Sequence, residues 1–435
     1  MQDKDPKSII NLGAMSAGQW LAVLVTVGLN AMDGFDVLSI SFASPGIAKD
    51  WGLAKDTLGW LLSMELVGMG LGSVLLGGVA DKLGRRPTIL GCLVAMSVGM
   101  FGASVADGVP TLLACRLLTG LGIGGMLASI NAAVAELSSQ RWRSLAVSLM
   151  VIGYPVGGVI GGTVVQRLLG GGTWHDVFIF GGGVTAAFIP LVWFLLPESV
   201  DFLDRRRRPG ALQAINRILT RFGFEPTAAL TQETAESAQR SVTDIFKPGL
   251  IVATVLITLG YFAHVTSFYF IIKWVPKLVV EMGFTPKAAA GVLTWANVGG
   301  ATGVAIFGLI AMRVSFKALT LITLIGSSAM VIWFGRGSTN LAALAGTVAV
   351  AGLFTNAGIG GYYLLFARVF PTHVRATGTG FAIGVGRAGA ALAPVIAGYL
   401  LQAGFGLQAV ATIMAMGSLL SAAALLTLKV GASDA

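Results

Sequence analysis

The feature that most constrains this chain is an apolar run, long enough to cross a bilayer, that recurs along its whole length. Spanning the hydrocarbon as a helix takes about 20 mostly apolar residues. Twelve such runs can be read, the first near Trp20–Phe42 and the last near Leu407–Leu428. In hydrocarbon, every backbone N–H and C=O must be satisfied within the segment, so runs of this length dictate helices. The first run is not a cleavable leader, because Asp33 and Asp36 interrupt what would be its apolar core. The expected fold is an all-α membrane protein with 12 transmembrane helices.

Composition narrows the function. Only 11% of the 435 residues are charged, against about 25% in a soluble domain. That excludes a soluble enzyme, a nucleic-acid-binding protein and a disordered scaffold. Cys92 and Cys115 both sit in apolar runs, and His175, His264 and His373 are scattered. No disulfide framework or metal site is therefore expected, and no cofactor. A membrane enzyme would need a nucleophile–base or metal constellation, and none is visible.

One long polar stretch divides the chain into a six-helix half (1–196), a linker (197–248) and a second six-helix half (249–435). With both termini cytoplasmic, 20 Lys and Arg fall in cytoplasmic segments and 7 in outer loops. That bias sets the orientation and accounts for the net charge of +9. The basic run Arg205–Arg208 and the amphipathic piece Ala211–Phe222 are expected to lie against anionic headgroups. A shift of 232 residues places Arg143 on Arg375, Gly157 on Gly389, Gly28 on Gly260 and Arg85 on Lys317. Halves related in this way build a pseudo-symmetric carrier, with its site at their interface near mid-membrane.

The charges left inside the runs are the candidate site. Thr26, Asn30, Asp33 and Asp36 are spaced to share one helical face. A carboxylate in a span faces a cavity or a partner, and two together do not both stay ionised cheaply in a low dielectric. A carboxyl that takes up and releases a proton is what a proton-coupled carrier requires, so Asp33 and Asp36 are the proton-coupling candidates, with Glu65 of span two secondary. Arg116 lies at a similar depth to the two aspartates, which places it to pair with them or to bind a substrate carboxylate. Arg387 is the second intramembrane cation, open either to an anion or to pairing with Glu65. Tyr261, His264, Trp295 and Asn297 add rings and hydrogen-bonding tips suited to a planar aromatic ligand. Below Arg116, Gly120, Gly124 and Ala128 repeat at spacing four, a close-packing stripe.

After span two comes Gly77-Gly78-Val79-Ala80-Asp81-Lys82-Leu83-Gly84-Arg85-Arg86-Pro87. Gly84 permits a tight turn, and Pro87 suits a first helical turn. Asp81, Arg85 and Arg86 are read as a cytoplasmic gate whose charge-assisted bonds break on opening. The second half lacks this pattern, since Asp81 maps to Arg313 and Gly84 to Phe316.

The 77–87 loop, Asp33-Gly34-Phe35-Asp36, Arg116, Leu196-Pro197-Glu198-Ser199 and the 371–380 segment together resemble the aromatic acid:H⁺ symporter family of the major facilitator superfamily. The resemblance implies proton-driven import of a small aromatic carboxylate by a functional monomer in the cytoplasmic (inner) membrane. The family's membrane acids then correspond to Asp33 and Asp36, its loop acid to Asp81, and its buried arginines to Arg116 and Arg387. An exporter shares the same architecture. A non-transporting sensor would need a soluble domain that the 197–248 stretch is too short and polar to supply.

Overall fold

The computed structural model describes residues 6–207, 209–230, 242–371 and 374–428. A short helix α1 (Pro6–Leu12) precedes six long ones: α2 (Ala17–Asp50), α3 (Lys55–Leu83), α4 (Arg85–Ser104), α5 (Val109–Leu137), α6 (Arg143–Leu168) and α7 (Trp174–Leu195). The linker contains α8 (Val200–Arg206), α9 (Ala211–Arg221) and a 3₁₀ turn, Val242–Phe246. Six more long helices follow: α10 (Ile251–Glu281), α11 (Pro286–Ile310), α12 (Phe316–Gly335), α13 (Leu341–Val369), α14 (Arg375–Gln402) and α15 (Leu407–Thr427). Twelve helices are long and apolar enough to cross a membrane. The protein is a multi-pass membrane protein.

Capping chemistry sets where several of these helices begin. Ser16 and Gln19 form a reciprocal capping box at the start of α2, and Thr173 and Asp176 form one at α7. Thr285, Ser315 and Asn340 accept backbone N–H groups at the starts of α11, α12 and α13. Between α3 and α4 the chain reverses at Gly84 with φ +116°, a conformation that disfavours any residue with a Cβ.

The repeat is visible in the helix boundaries. Shifting α5 (Val109–Leu137) by 232 residues gives the bounds of α13 (Leu341–Val369), and Arg143 at the start of α6 falls on Arg375 at the start of α14. The two six-helix halves are pseudo-symmetric in sequence register as well as in order.

Contacts between the halves run from mid-depth to the side opposite the linker. On that far side Lys55 pairs with Glu281 at 3.3 Å, and its N–H donates to Gln402. Deeper in, Ser63 Oγ donates to the Ala391 carbonyl at 2.6 Å. Across the molecule, Gln166 of α6 meets Thr294 of α11 at 3.2 Å.

The linker divides its attachment. Lys7 of α1 pairs with Asp201 of α8 at 2.7 Å, while Arg221 of α9 donates to the Phe194 and Leu195 carbonyls that end α7. The 3₁₀ turn belongs to the second half, where Ile245 accepts from Thr254 and Phe246 packs edge-on against Phe381. Ile215 and Leu219 of α9 are fully buried in protein, and past its end Phe222 and Phe224 lie against Gly18 and Gly13 of the N-terminal segment. Arg205 pairs with Asp201, Arg206 donates to the Asp81 carbonyl, and Arg208 lies outside the described residues.

Within the first half α3 and α5 approach backbone to backbone. The Gly120 and Gly124 faces meet the Glu65 and Met69 carbonyls, and Gly68 and Gly72 meet Leu117 and Leu121 in return. No side chain fits between these backbones. Gly120→Val should therefore overpack the contact at a cost of about 1–3 kcal/mol, read as a lower thermal midpoint of the detergent-solubilised protein than for Gly91→Val, where a Cβ meets nothing.

Candidate functional site

The close α3–α5 approach brings the buried charges together. Arg116 on α5 and Glu65 on α3 are both fully inaccessible and form an ion pair. The same guanidinium donates to the backbone carbonyl of Asp36 at 3.2 Å and lies 5.4 Å from the Phe178 ring. It also approaches Met100 Sδ at 3.0 Å. Arg116 therefore touches the α2 segment that carries the aspartates, but through a main-chain oxygen. Its carboxylate partner is Glu65, which the sequence reading had ranked second.

Glu65 has a further partner from the other half. Lys273 of α10 is fully buried, pairs with Glu65 Oε2 at 3.4 Å, and donates to the Val37 carbonyl of α2. By composition the seventh apolar run, Gly249–Ile272, stops just short of Lys273 and leaves it among the seven outer-loop cations. Helix α10 continues to Glu281, however, burying Trp274, Val275, Leu278 and Val279. Apolar residues at helical spacing beyond the lysine, with the first turn glycine at Gly283, were the signal available for it.

Asp33 is fully buried, and neither carboxylate oxygen has a hydrogen-bond partner among the described residues. Glu65, Arg387 and Asp36 lie within electrostatic reach of it. Asp36, also fully buried, has one oxygen 3.5 Å from Thr185 Oγ1 and the other without a partner. Thr26 and Asn30 complete the face, with Asn30 bridging to the Met150 carbonyl of α6 at 2.7 Å.

Arg387 is half-buried on α14 and donates to the Met69 carbonyl of α3 at 3.0 Å. Among the described residues no carboxylate lies within ion-pair distance of it, so of its two readings the pairing with Glu65 is not formed. The Tyr154, Tyr269 and Tyr363 phenols lie within electrostatic reach of one another, and Asp33 acts on Tyr154 and Tyr269. Tyr154 and Tyr269 carried no site role in the sequence reading.

The aromatic candidates separate. Tyr261 packs against Tyr362, Tyr363 and Phe366 with centroid distances of 5.3–6.3 Å, and Arg387 acts on its phenol. His264 is locked instead. One ring nitrogen meets Ser418 Oγ and the other the Thr355 carbonyl, each at 2.9 Å, joining α10 to α15 and α13. Trp295 is 53% exposed on α11, and no described hydrogen bond or ring contact joins it to the cluster. Asn297 is buried and packs against Gly158 of α6, so it belongs to the contact between halves.

The 77–87 loop forms a network inside the first half. Arg85 pairs with Asp81 at 2.5 Å and with Glu136 of α5 at 3.2 Å. Arg86 packs over Trp193 at 5.1 Å. The carboxylate that caps α4 is Glu198, which accepts from the N–H groups of Arg85, Arg86 and Ser199 at 2.9, 3.3 and 2.8 Å. Burial pushes the Glu198 carboxyl above the usual range, against the lowering effect of those N–H bonds. The loop's charged groups thus tie α3, α4, α5 and the linker together, and the contacts described for them do not cross to the second half. Thr372 and His373 of the 371–380 segment lie outside the described residues.

Residues 26–313 match the family model of the Major Facilitator Superfamily. The chain belongs to that superfamily. It is 31% identical over 412 residues to the 3-(3-hydroxy-phenyl)propionate transporter of Escherichia coli, covering 93% of this chain and 94% of that protein. The gallate transporter of Pseudomonas putida is 29% identical, covering 97% and 94%. The 4-hydroxybenzoate transporter of the same organism is also 29% identical, covering 98% and 95%. In fold, this facilitator resembles the xylose transporter XylE of Escherichia coli, solved in an inward open conformation, with TM-score 0.72 and 16% identity over 95% and 97% of the two chains. It is a transporter, not an enzyme.

The pairing pattern separates Glu65, held by two cations, from Asp33, which has no described partner. Glu65→Leu leaves Arg116 and Lys273 buried without a carboxylate and should cost about 3–5 kcal/mol. Asp33→Asn removes a charge that has no partner and should leave the thermal midpoint unchanged or raised. Thermal unfolding of both variants in one detergent checks the contrast.

Proposed function

We propose that this facilitator imports a small aromatic carboxylate of the hydroxybenzoate class together with protons, by alternating access across the cytoplasmic membrane. The observation that carries the reading is Asp33, a fully buried carboxyl with no hydrogen-bond partner, placed where Glu65 and Arg387 both act on it. Relatives that span nearly the whole chain are transporters of gallate, 4-hydroxybenzoate and hydroxyphenylpropionate, which supports the substrate class.

Charge counting supplies the coupling. Within the apolar interior, Asp33, Asp36 and Glu65 stand against Arg116, Lys273 and Arg387. When all are ionised the set is neutral. A substrate carboxylate adds one negative charge to a low-dielectric space, and a proton on Asp33 cancels it. The loaded carrier then reorients with the same net charge as the empty one, at one proton per monocarboxylate. Arg387 is the cation with a free face for the anion, since its described bond is to a carbonyl rather than to an acid. Tyr154, Tyr269, Tyr261 and Tyr363 offer rings and phenols for a planar hydroxylated ligand.

The linker side carries the basic excess, so it is the cytoplasmic side, with both termini there. The halves are joined on the opposite, outer side, which makes this an arrangement closed to the outside. The carrier acts as a monomer in the bilayer, because a single chain supplies both halves of the site.

Proteoliposomes with an inward proton gradient should accumulate labelled 4-hydroxybenzoate or gallate. A protonophore should abolish accumulation. Asp33→Asn should reduce gradient-driven uptake to the background of empty liposomes while retaining substrate counterflow. Accumulation that survives the protonophore or the Asp33 substitution overturns the coupling role, and efflux driven by the same gradient would make the chain an exporter.

A further inference from the structure

Lys273 and Arg387 both reach from the second half to first-half carbonyls, but among the described residues only Lys273 also pairs there with an acid. It is carried by the second half, yet both of its described polar partners, the Val37 carbonyl and Glu65 Oε2, belong to the first. It is fully buried, about eight residues or ~12 Å from the far end of α10 at 1.5 Å per residue. Glu65 by contrast is held twice, by Lys273 across the divide and by Arg116 within its own half.

This asymmetry has a mechanical consequence. When the outer ends of the halves part, Glu65 keeps Arg116 and stays neutralised. Lys273 loses both partners at once. A buried ammonium deprived of its carboxylate is strongly unfavourable until water reaches it, so the outer side resists opening at this point. The neighbouring contacts are individually weak and neutral: Ser63 Oγ on the Ala391 carbonyl, and Gly59 backed against the Pro394 carbonyl. Lys55–Glu281, at the far surface, is a partly exposed pair of the kind that contributes little. Trp274, the residue after Lys273, donates to the Pro394 carbonyl and so ties α10 to α14, the helix that lies against α3. The lysine and the α14 side of the α3–α14 contact therefore belong to one body.

We propose that Lys273 is the outer-gate residue of the transport cycle, an ammonium of the second half that closes the outer side on Glu65 of the first and is released at each outward opening. The inference builds on the alternating-access reading above but not on the identity of the substrate, and its main test needs none. Lys273 acts through Glu65 and the helix contacts, so it is a positioning residue rather than a substrate ligand.

Hydrogen–deuterium exchange of the full chain in lipid nanodiscs, without substrate, reads the two ends of the molecule separately. In Lys273→Gln, amides at the outer ends of α3 and α14 (55–63 and 391–402) should exchange on the order of tenfold faster. Those at their cytoplasmic ends (75–83 and 377–384) should exchange more slowly, as that side closes. Lys273→Arg should restore the wild-type pattern, and adding Lys273→Gln to Glu65→Gln should change little further. Lys273→Met, similar in length and uncharged, serves if the glutamine variant is not recovered. Exchange unchanged in these variants, or faster at both ends together, overturns the gate. In transport, a shift toward the outward-facing state lowers the half-saturating external concentration while slowing turnover. A raised half-saturating concentration would instead make Lys273 a substrate ligand and overturn the proposal.

Discussion

The structure is organised around the need to keep Glu65 neutral in an interior that cannot solvate it. An isolated carboxylate in hydrocarbon is prohibitively costly, and two cations from different halves converge on this one. That requirement explains the packing around it. The guanidinium of Arg116 reaches Glu65 because α3 and α5 touch backbone to backbone along Gly68, Gly72, Gly120 and Gly124. Larger residues would separate the helices and strand both charges. The same pair positions α2, since Arg116 also holds the Asp36 carbonyl, and Lys273 holds the Val37 carbonyl one residue on. The segment that carries the unpartnered acids is thus clamped by its backbone, which leaves the carboxyl groups themselves uncommitted.

Much of the architecture was legible in the sequence, because the bilayer imposes it locally. Span length, the polar divide after the sixth run and the 232-residue repeat each depend on composition within a short window. The glycine stripe on α5 was also legible, since spacing four on a helix is a surface property of that helix alone. The partner of Arg116 was not. Depth along a span can be counted from its end, which brought Arg116 level with Asp33 and Asp36, but the rotation of α3 about its own axis decides that Glu65 meets the guanidinium. Lys273 was missed for a different reason. A cation ends an apolar run by composition, although burial between two halves makes it part of the helix. Trp295 shows the converse, an aromatic ring in a span that stays exposed on α11 with no described contact to the cluster. His264 fits the cluster by residue type, yet both its ring nitrogens are spent on packing within the second half.

The conspicuous loop after α3 illustrates how a motif can be read correctly as chemistry and incompletely as geometry. The turn glycine and the Asp81–Arg85 pair are both present. The N-terminus of α4, however, is capped by Glu198, more than a hundred residues away in sequence. A Cβ at Gly84 would occupy the space of that carboxylate. The glycine therefore serves the cap as much as the turn, a dependence that only the fold reveals. The result is a cross-linked linker-side end for the first half, to which the early linker is fastened.

The repeat also explains where the charge asymmetry lies. Under the 232-residue shift, Glu65 corresponds to Asn297. Both sit where one half meets the other, Glu65 against Lys273 of α10 and Asn297 against Gly158 of α6. One side of the pseudo-twofold carries an ion pair, and its counterpart carries a neutral amide. The acids Asp33, Asp36 and Glu65 all belong to the first half, whereas Lys273 and Arg387 reach over from the second and both bond first-half carbonyls, Val37 and Met69. Relative motion of the halves is therefore motion of cations past acids. A neutral pair such as Asn297 and Gly158 can slide without electrostatic cost, while the Lys273 side cannot, so the two faces of the interface are unequal in what it takes to part them.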